Sequence, residues 1–318
     1  MTGTTEEINL SNDIFFKLSG AMDGNLDAME KRFGVRVAAT DAGARVSGDA
    51  ENVRTCVRLI RVLAELIKQG QTVNKVVVAR CSDMVLTHDE GDILDLLTET
   101  VAVTARGKKI VCKTPAQRDY CRAVKKKTLT FGVGPAGTGK TYLAVALAVS
   151  SFKRGEIDRI ILTRPAIEAG EKLGFLPGDL QMKVDPYLRP LYDALEEMFG
   201  VDNYAGLIEK GIIEIAPLAY MRGRTLSRAF IILDEAQNTT EEQMKMFLTR
   251  MGDGSKVVVT GDITQIDLPQ GGRSGLKQAI NILGDIDDIA ICRMTDKDIV
   301  RHELVQKIVK AYDKAREQ

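Results

Sequence analysis

Gly134-Pro135-Ala136-Gly137-Thr138-Gly139-Lys140-Thr141 fits the pattern G-x-x-x-x-G-K-[ST]. It stands after an apolar run, Thr128 to Val133, and before a stretch of helical character, Thr141 to Phe152. Strand, glycine loop and helix in that order make a phosphate cradle. Glycine lets the backbone bend so that successive N–H groups face phosphate oxygens, and the helix N-terminus adds its positive end. Lys140 then reaches the β- and γ-phosphates, and Thr141 offers a hydroxyl to magnesium. All eight residues from Gly134 to Thr141 are expected to touch nucleotide. A chance glycine-rich turn would require neither flanking element.

On both sides of this loop, short apolar runs recur as strands: Ile157 to Thr163, Ile212 to Ala216, Ala229 to Asp234 and Lys256 to Thr260. Helical patterns such as Leu188 to Met198 and Glu241 to Met251 lie between most of them. The economical architecture is α/β, a mostly parallel sheet with helices on both faces. Ligands in such sheets bind beyond the carboxyl ends of the strands.

Two other strand ends carry suitable chemistry. Phe230-Ile231-Ile232-Leu233 delivers Asp234-Glu235. Asp234 can complete the magnesium shell with Thr141, and Glu235 can polarise an attacking water. Val257-Val258-Val259 runs into Thr260-Gly261-Asp262-Ile263-Thr264-Gln265, which places a neutral amide where it can donate to a γ-phosphate. Turn stabilisation is the plainer role for Gln265.

Composition sets the outer limits. The chain has 318 residues, 44% hydrophobic and 28% charged, which is ordinary for a folded protein and long enough for two or three domains. No apolar run approaches the ~20 residues of a membrane helix, and Met1-Thr2-Gly3-Thr4-Thr5-Glu6-Glu7 lacks the features of a signal peptide, so the expected compartment is the cytoplasm, with no membrane partner. Five scattered cysteines and two histidines argue against a zinc site or a disulfide framework. Forty-four basic residues balance forty-four acidic ones, so any contact with nucleic acid must come from a local patch.

The first 70 residues read as a small α+β domain. Asp27 to Phe33 looks helical, and Val35 to Ala39 and Arg45 to Gly48 look like strands around a turn at Asp41-Ala42-Gly43. Glu51 to Ile67 follows as an amphipathic helix, with Val53, Val57, Ile60, Leu63, Ala64 and Ile67 on one face. Residues 71–108 read as a connector, with Val76 to Ala79 a strand or link and Ile93 to Val101 a helix. Residues 109–318 form the nucleotide domain.

Five stretches in order carry a family resemblance: G-P-A-G-T-G-K-T-Y-L-A, T-R-P-A-I-E-A-G-E-K-L-G-F-L-P-G-D, R-G-R-T-L, I-L-D-E-A-Q-N, and T-G-D-I-T-Q-I-D-L-P followed by G-G-R-S-G-L. The chain resembles the PhoH-like ATPases, whose nucleotide domain is similar to the core of superfamily 1 helicases. The resemblance implies that Asp234 holds the metal, Glu235 is the base, Gln265 senses the γ-phosphate and Gln117, in T-P-A-Q-R-D-Y, reads adenine. It also implies ATP and Mg2+ as cofactors and a KH-like fold for residues 1–70. A KH module grips single-stranded nucleic acid through G-x-x-G. Here three residues separate Gly20 from Gly24, so the G-x-x-G loop is not present as written, and residues 1–70 hold nine basic against ten acidic side chains, a net of −1.

Hydrolysis calls for a cation at the developing charge, and no arginine lies in the loop. Arg273 in G-G-R-S-G is ranked first within the subunit. Arg222, Arg224 and Arg301 are further candidates, and Arg222 and Arg224 could instead face nucleic acid. Arg164, leading Arg164-Pro165-Ala166-Ile167-Glu168, occupies the place of a nucleic-acid-touching segment in helicase-like proteins. Gly170 to Asp179 reads as a functional loop or a long connector. The expected activity is ATP hydrolysis coupled to remodelling of, or translocation along, single-stranded RNA. Only about forty residues follow Leu276, too few for a second motor domain of ~100 residues, so unwinding or translocation is expected from an oligomer rather than a monomer. The family resemblance implies a homo-oligomeric ring, such as a hexamer. The alternative is an ATP-gated scaffold that recruits or regulates an RNA-processing nuclease. Phosphotransfer is disfavoured, because Glu235 suits water activation.

Overall fold

A computed structural model of the chain describes residues 3–165, 180–269 and 272–300 together with positions 304, 305, 308, 311 and 312. The chain divides into two compact units, one spanning Met1–Glu99 and the other Thr100–His302. No helix among the described residues is long and apolar enough to cross a membrane.

The first unit opens with β1 (Thr4–Asn9), α1 (Asn12–Ser19), α2 (Gly24–Phe33), β2 (Arg36–Thr40), β3 (Gly43–Gly48) and α3 (Ala50–Lys68). Its antiparallel sheet has the order β1-β3-β2. The predicted α3 stripe is buried, but so are Cys56, Leu59, Val62 and Leu66. More than one face is covered because α4 (Lys75–Met84) and α5 (Glu90–Thr98) also pack on α3. Val76 to Ala79 therefore lie within a helix, against the strand-or-link expectation. Asn74 caps it by accepting from the Val77 N–H at 3.1 Å, and Val78, Cys81 and Met84 are buried at helical spacing, which overrides the β-propensity of three valines. The helix expected over Ile93 to Val101 ends at Thr98, and Val101 is in a strand. Residues 71–108 are thus divided between the units: α4 and α5 join the first core, and the later residues belong to the second unit.

The second unit begins with an antiparallel hairpin, β4 (Thr100–Val103) and β5 (Lys109–Val111), then α6 (Pro115–Lys126). The sheet and its helices follow as β6 (Leu129–Val133), α7 (Lys140–Lys153), β7 (Arg159–Arg164), α8 (Leu180–Phe199), α9 (Val201–Glu209), β8 (Ile213–Pro217), β9 (Ala229–Leu233), α10 (Glu241–Leu248), β10 (Lys256–Gly261), α11 (Gly275–Leu283) and β11 (Ile289–Arg293). Six parallel strands lie in the order β11-β6-β10-β9-β7-β8. Both faces are covered, and period-two alternation divides each strand between two cores. Phe230 and Ile232 pack on the α7 side, whereas Ile231 and Leu233 pack with α10 and α11. The chain leaves β6 for β7, past the positions later filled by β10 and β9. The carboxyl ends of β6, β10, β9 and β7 therefore stand side by side.

Candidate active site

The glycine loop joins β6 directly to α7, as the spacing requires. A Cβ on Gly134 would lie 2.5 Å from the Met294 carbonyl oxygen, so only glycine fits, and Gly139 enters α7 at φ +81°, in the left-handed region. The Gly134 N–H donates to the Gly261 carbonyl at 3.1 Å, tying the loop to the end of β10. Lys140 is buried. Its Nζ donates to the Gly134 and Pro135 carbonyls at 2.6 and 2.9 Å and to Thr138 Oγ1 at 3.3 Å. Burial pushes its ammonium below the usual lysine range, and the carboxylates of Asp262, Asp234 and Glu235 oppose that shift.

Asp234, at the end of β9, is 2% exposed and heavily subscribed. Its Oδ1 accepts from Thr141 Oγ1 and Thr260 Oγ1, each at 2.6 Å. Its Oδ2 accepts from the Arg164 guanidinium, through Nε at 2.8 Å and also through Nη2. Glu235 stands next, in a left-handed conformation at φ 53°, which costs a non-glycine residue about 1 kcal/mol or more. Its Oε2 accepts from Gln237 Nε2 at 2.7 Å, and Arg164 Nη2 lies 3.8 Å from its Oε1. Gln237 is buried, and its Oε1 accepts from the Asp262 N–H at 3.0 Å. Ser274, the cap of α11, donates to the Gln237 carbonyl at 2.8 Å. Asp262 Oδ1 accepts from the backbone and hydroxyl of Thr264, and its buried Oδ2 has no partner among the described residues.

The sequence-predicted residues do not all come together. Lys140, Thr141, Asp234 and Glu235 come together. Arg164 joins them by pairing with Asp234 within the chain. Gln117 is buried beside the loop with its amide bound at both ends: Oε1 accepts from the Lys113 N–H at 2.7 Å and Nε2 donates to the Thr138 carbonyl at 2.9 Å. It lines a cavity of about 360 Å³ that also takes in Ile110, Tyr142, Leu143 and Gly139. Gln265 and Arg273 are exposed, on the segment between β10 and α11. Arg222 is exposed, and Arg224 is held bidentately by Glu214 of β8 at 2.5 and 2.7 Å. Arg301 and Gly170 to Asp179 lie outside the described residues. Gln237, Thr260 and Ser274 are residues that sequence reasoning missed. Thr260 had a signal: it follows Val258 by two, so a hydroxyl takes the α7-facing register of a buried strand.

The donor set suits magnesium. Thr141 Oγ1 and the Asp234 carboxylate are hard oxygens 2.6 Å apart at the mouth of the loop. No cluster of three His, Cys, Asp or Glu side chains lies among the described residues.

The parallel sheet, the glycine loop opening α7 and the threonine–aspartate pair at the strand ends define a P-loop NTPase. Within that class the chain belongs to the PhoH family, whose model, described as PhoH-like protein, matches residues 109–313. It is 52% identical over 302 residues to a PhoH-like protein of Bacillus subtilis (strain 168), covering 95% of each chain. It is 46% identical over 316 residues to a PhoH-like protein of Synechocystis sp., covering 99% of this chain and 96% of that one. Among solved structures it is similar to a Sulfolobus solfataricus SWI2/SNF2 ATPase core in complex with dsDNA, with a TM-score of 0.35 and 14% identity over 57% of this chain and 44% of that chain. That likeness is too slight to bear on the fold.

Proposed function

We propose that the chain binds ATP with Mg2+, hydrolyses it, and couples the cycle to remodelling of, or translocation along, single-stranded RNA. The observation that carries the hydrolytic part is the placement of Glu235 beside Asp234, whose carboxylate lies 2.6 Å from the hydroxyl of the loop's own Thr141. Thr141 and Asp234 would hold the metal, which would supply positive charge to neutralise the phosphates. Lys140 leaves the loop carbonyls for those phosphates. Glu235, its other side fixed by Gln237, orients a water and takes its proton. The cavity beside Gln117 and Tyr142 is the place for the base.

The RNA part rests on the family resemblance and on the first unit, whose three-stranded sheet and helices support a KH-like fold. Its α1–α2 connection, Gly20-Ala21-Met22-Asp23-Gly24, holds two successive left-handed residues, Met22 and Asp23. ATP turnover measured with and without single-stranded RNA tests the proposal. RNA should raise the rate, and Lys140→Ala should abolish it. A rate indifferent to RNA would favour the nuclease-recruiting scaffold, and no Lys140-dependent turnover would refute hydrolysis. Native mass in the same samples tests the ring.

A further inference from the structure

Among the described residues, the two cations at the strand ends, Lys140 and Arg164, are satisfied by the protein itself. Lys140 Nζ lies on the loop's own carbonyls, and the Arg164 guanidinium lies on Asp234 Oδ2. The second pairing is well buried, with side-chain exposures of 14% for Arg164 and 3% for Asp234. The two hydroxyls on Oδ1 complete the carboxylate's shell. Asp234 therefore has no oxygen ready for a metal ion.

We infer that Arg164 is an internal counter-cation that a divalent ion must displace from Asp234, so that the nucleotide-free site rejects the ion and accepts it only with nucleotide. This rests on the ATP and Mg2+ reading above and adds an order of events to it. A bare ion would exchange a bidentate guanidinium for a share of one carboxylate and one hydroxyl. An ion arriving with phosphate brings further oxygen ligands, and the phosphate gives the released guanidinium a new anion. Glu235, 3.8 Å from the Arg164 Nη2, marks the direction in which it can turn. Arg164 is a positioning residue, acting through Asp234.

Two measurements on the full chain test this. Mn2+ titrated into nucleotide-free protein, followed by electron paramagnetic resonance, should bind Arg164→Gln roughly ten- to a hundredfold more tightly than wild type, the equivalent of one lost charge-assisted hydrogen bond. Arg164→Lys should fall between them. Equal affinity in all three would overturn the inference. Wild type alone supplies the second test, which needs no variant to fold. The Arg164 Nε–H resonance should stay in place when a non-hydrolysable ATP analogue is added with EDTA, and move when Mg2+ follows. A resonance that does not respond to Mg2+ would overturn the inference, even if the analogue binds. Absence of analogue binding under either condition would refute the proposed function and take this inference with it.

Discussion

Gln237→Leu should uncouple the base from the β10 end while leaving the phosphate loop intact. The amide joins two elements: its Nε2 donates to Glu235 and its Oε1 accepts from the Asp262 N–H. Leucine fills the volume and provides neither atom. The Asp262 N–H, in a residue 5% exposed, loses its acceptor, and a buried donor left unpaired costs roughly 1–3 kcal/mol. The Glu235 side chain is 47% exposed, so water replaces the amide there and little is added to the stability loss. In a unit of this size each kcal/mol moves Tm by about 2–4 °C, giving an expected fall of roughly 2–12 °C. Turnover should fall by about tenfold or more, within the ~10²–10⁴ that a positioned general base supplies. Nucleotide affinity should hold, because Gln237 makes no contact with the loop through its amide. Gln237→Glu separates the two links: it keeps an acceptor for Asp262 N–H but sets a second carboxylate against Glu235, so it should melt closer to wild type and still turn over slowly. Thermal melts, equilibrium binding of a fluorescent ATP analogue and phosphate release read these quantities independently. A Gln237→Leu protein that melts and turns over like wild type would refute the relay.

Gly261→Ala should act on the same relay from the other side. Its Cβ would fall 2.8 Å from Gln237 Oε1 and 2.5 Å from Leu276 Cδ2, a crowding that typically costs about 1–3 kcal/mol, so chemical denaturation should show that loss and phosphate release should slow with it. Lys140 predicts a pH dependence in nucleotide-free protein. Its native pKa lies below the ordinary 10.5, so between the two values the unfolded chain binds more protons and stability rises with pH. Lys140→Met should flatten that rise in alkaline denaturation midpoints and abolish nucleotide binding; an unchanged slope would deny that the ammonium is desolvated. Cys56 and Cys81, whose thiols burial pushes up to about 12, should resist alkylation at pH 8 until the protein unfolds, as mass mapping of the labelled sites would show.

What was legible in the sequence is what lies close together along it. The phosphate loop is one contiguous stretch, and Asp234-Glu235 follow the apolar run that positions them, so local pattern was enough to find both. The contacts that organise the site join distant positions: Arg164 to Asp234 across 70 residues, Gln237 to Asp262 across 25, Thr260 to Asp234 across 26. Each exists because β7, β9 and β10 are neighbours in the sheet, and that order is set by packing of the whole unit. Alternating apolar residues announce a strand without naming its neighbour. The same limit explains α4, where three valines suggest a strand until α2 and α3 provide a surface that selects the helical spacing of Val78, Cys81 and Met84. It explains Gln117 as well. The fold brings Lys113 N–H and the Thr138 carbonyl to its two amide atoms, contacts that no local pattern announces. A polar side chain announces a capacity to bond, and the strand order decides where that capacity is spent. Arg164 shows the consequence most clearly: parallel pairing of β7 with β9 places its guanidinium on Asp234, the residue proposed to hold the metal, a contact that no pattern local to Arg164 announces.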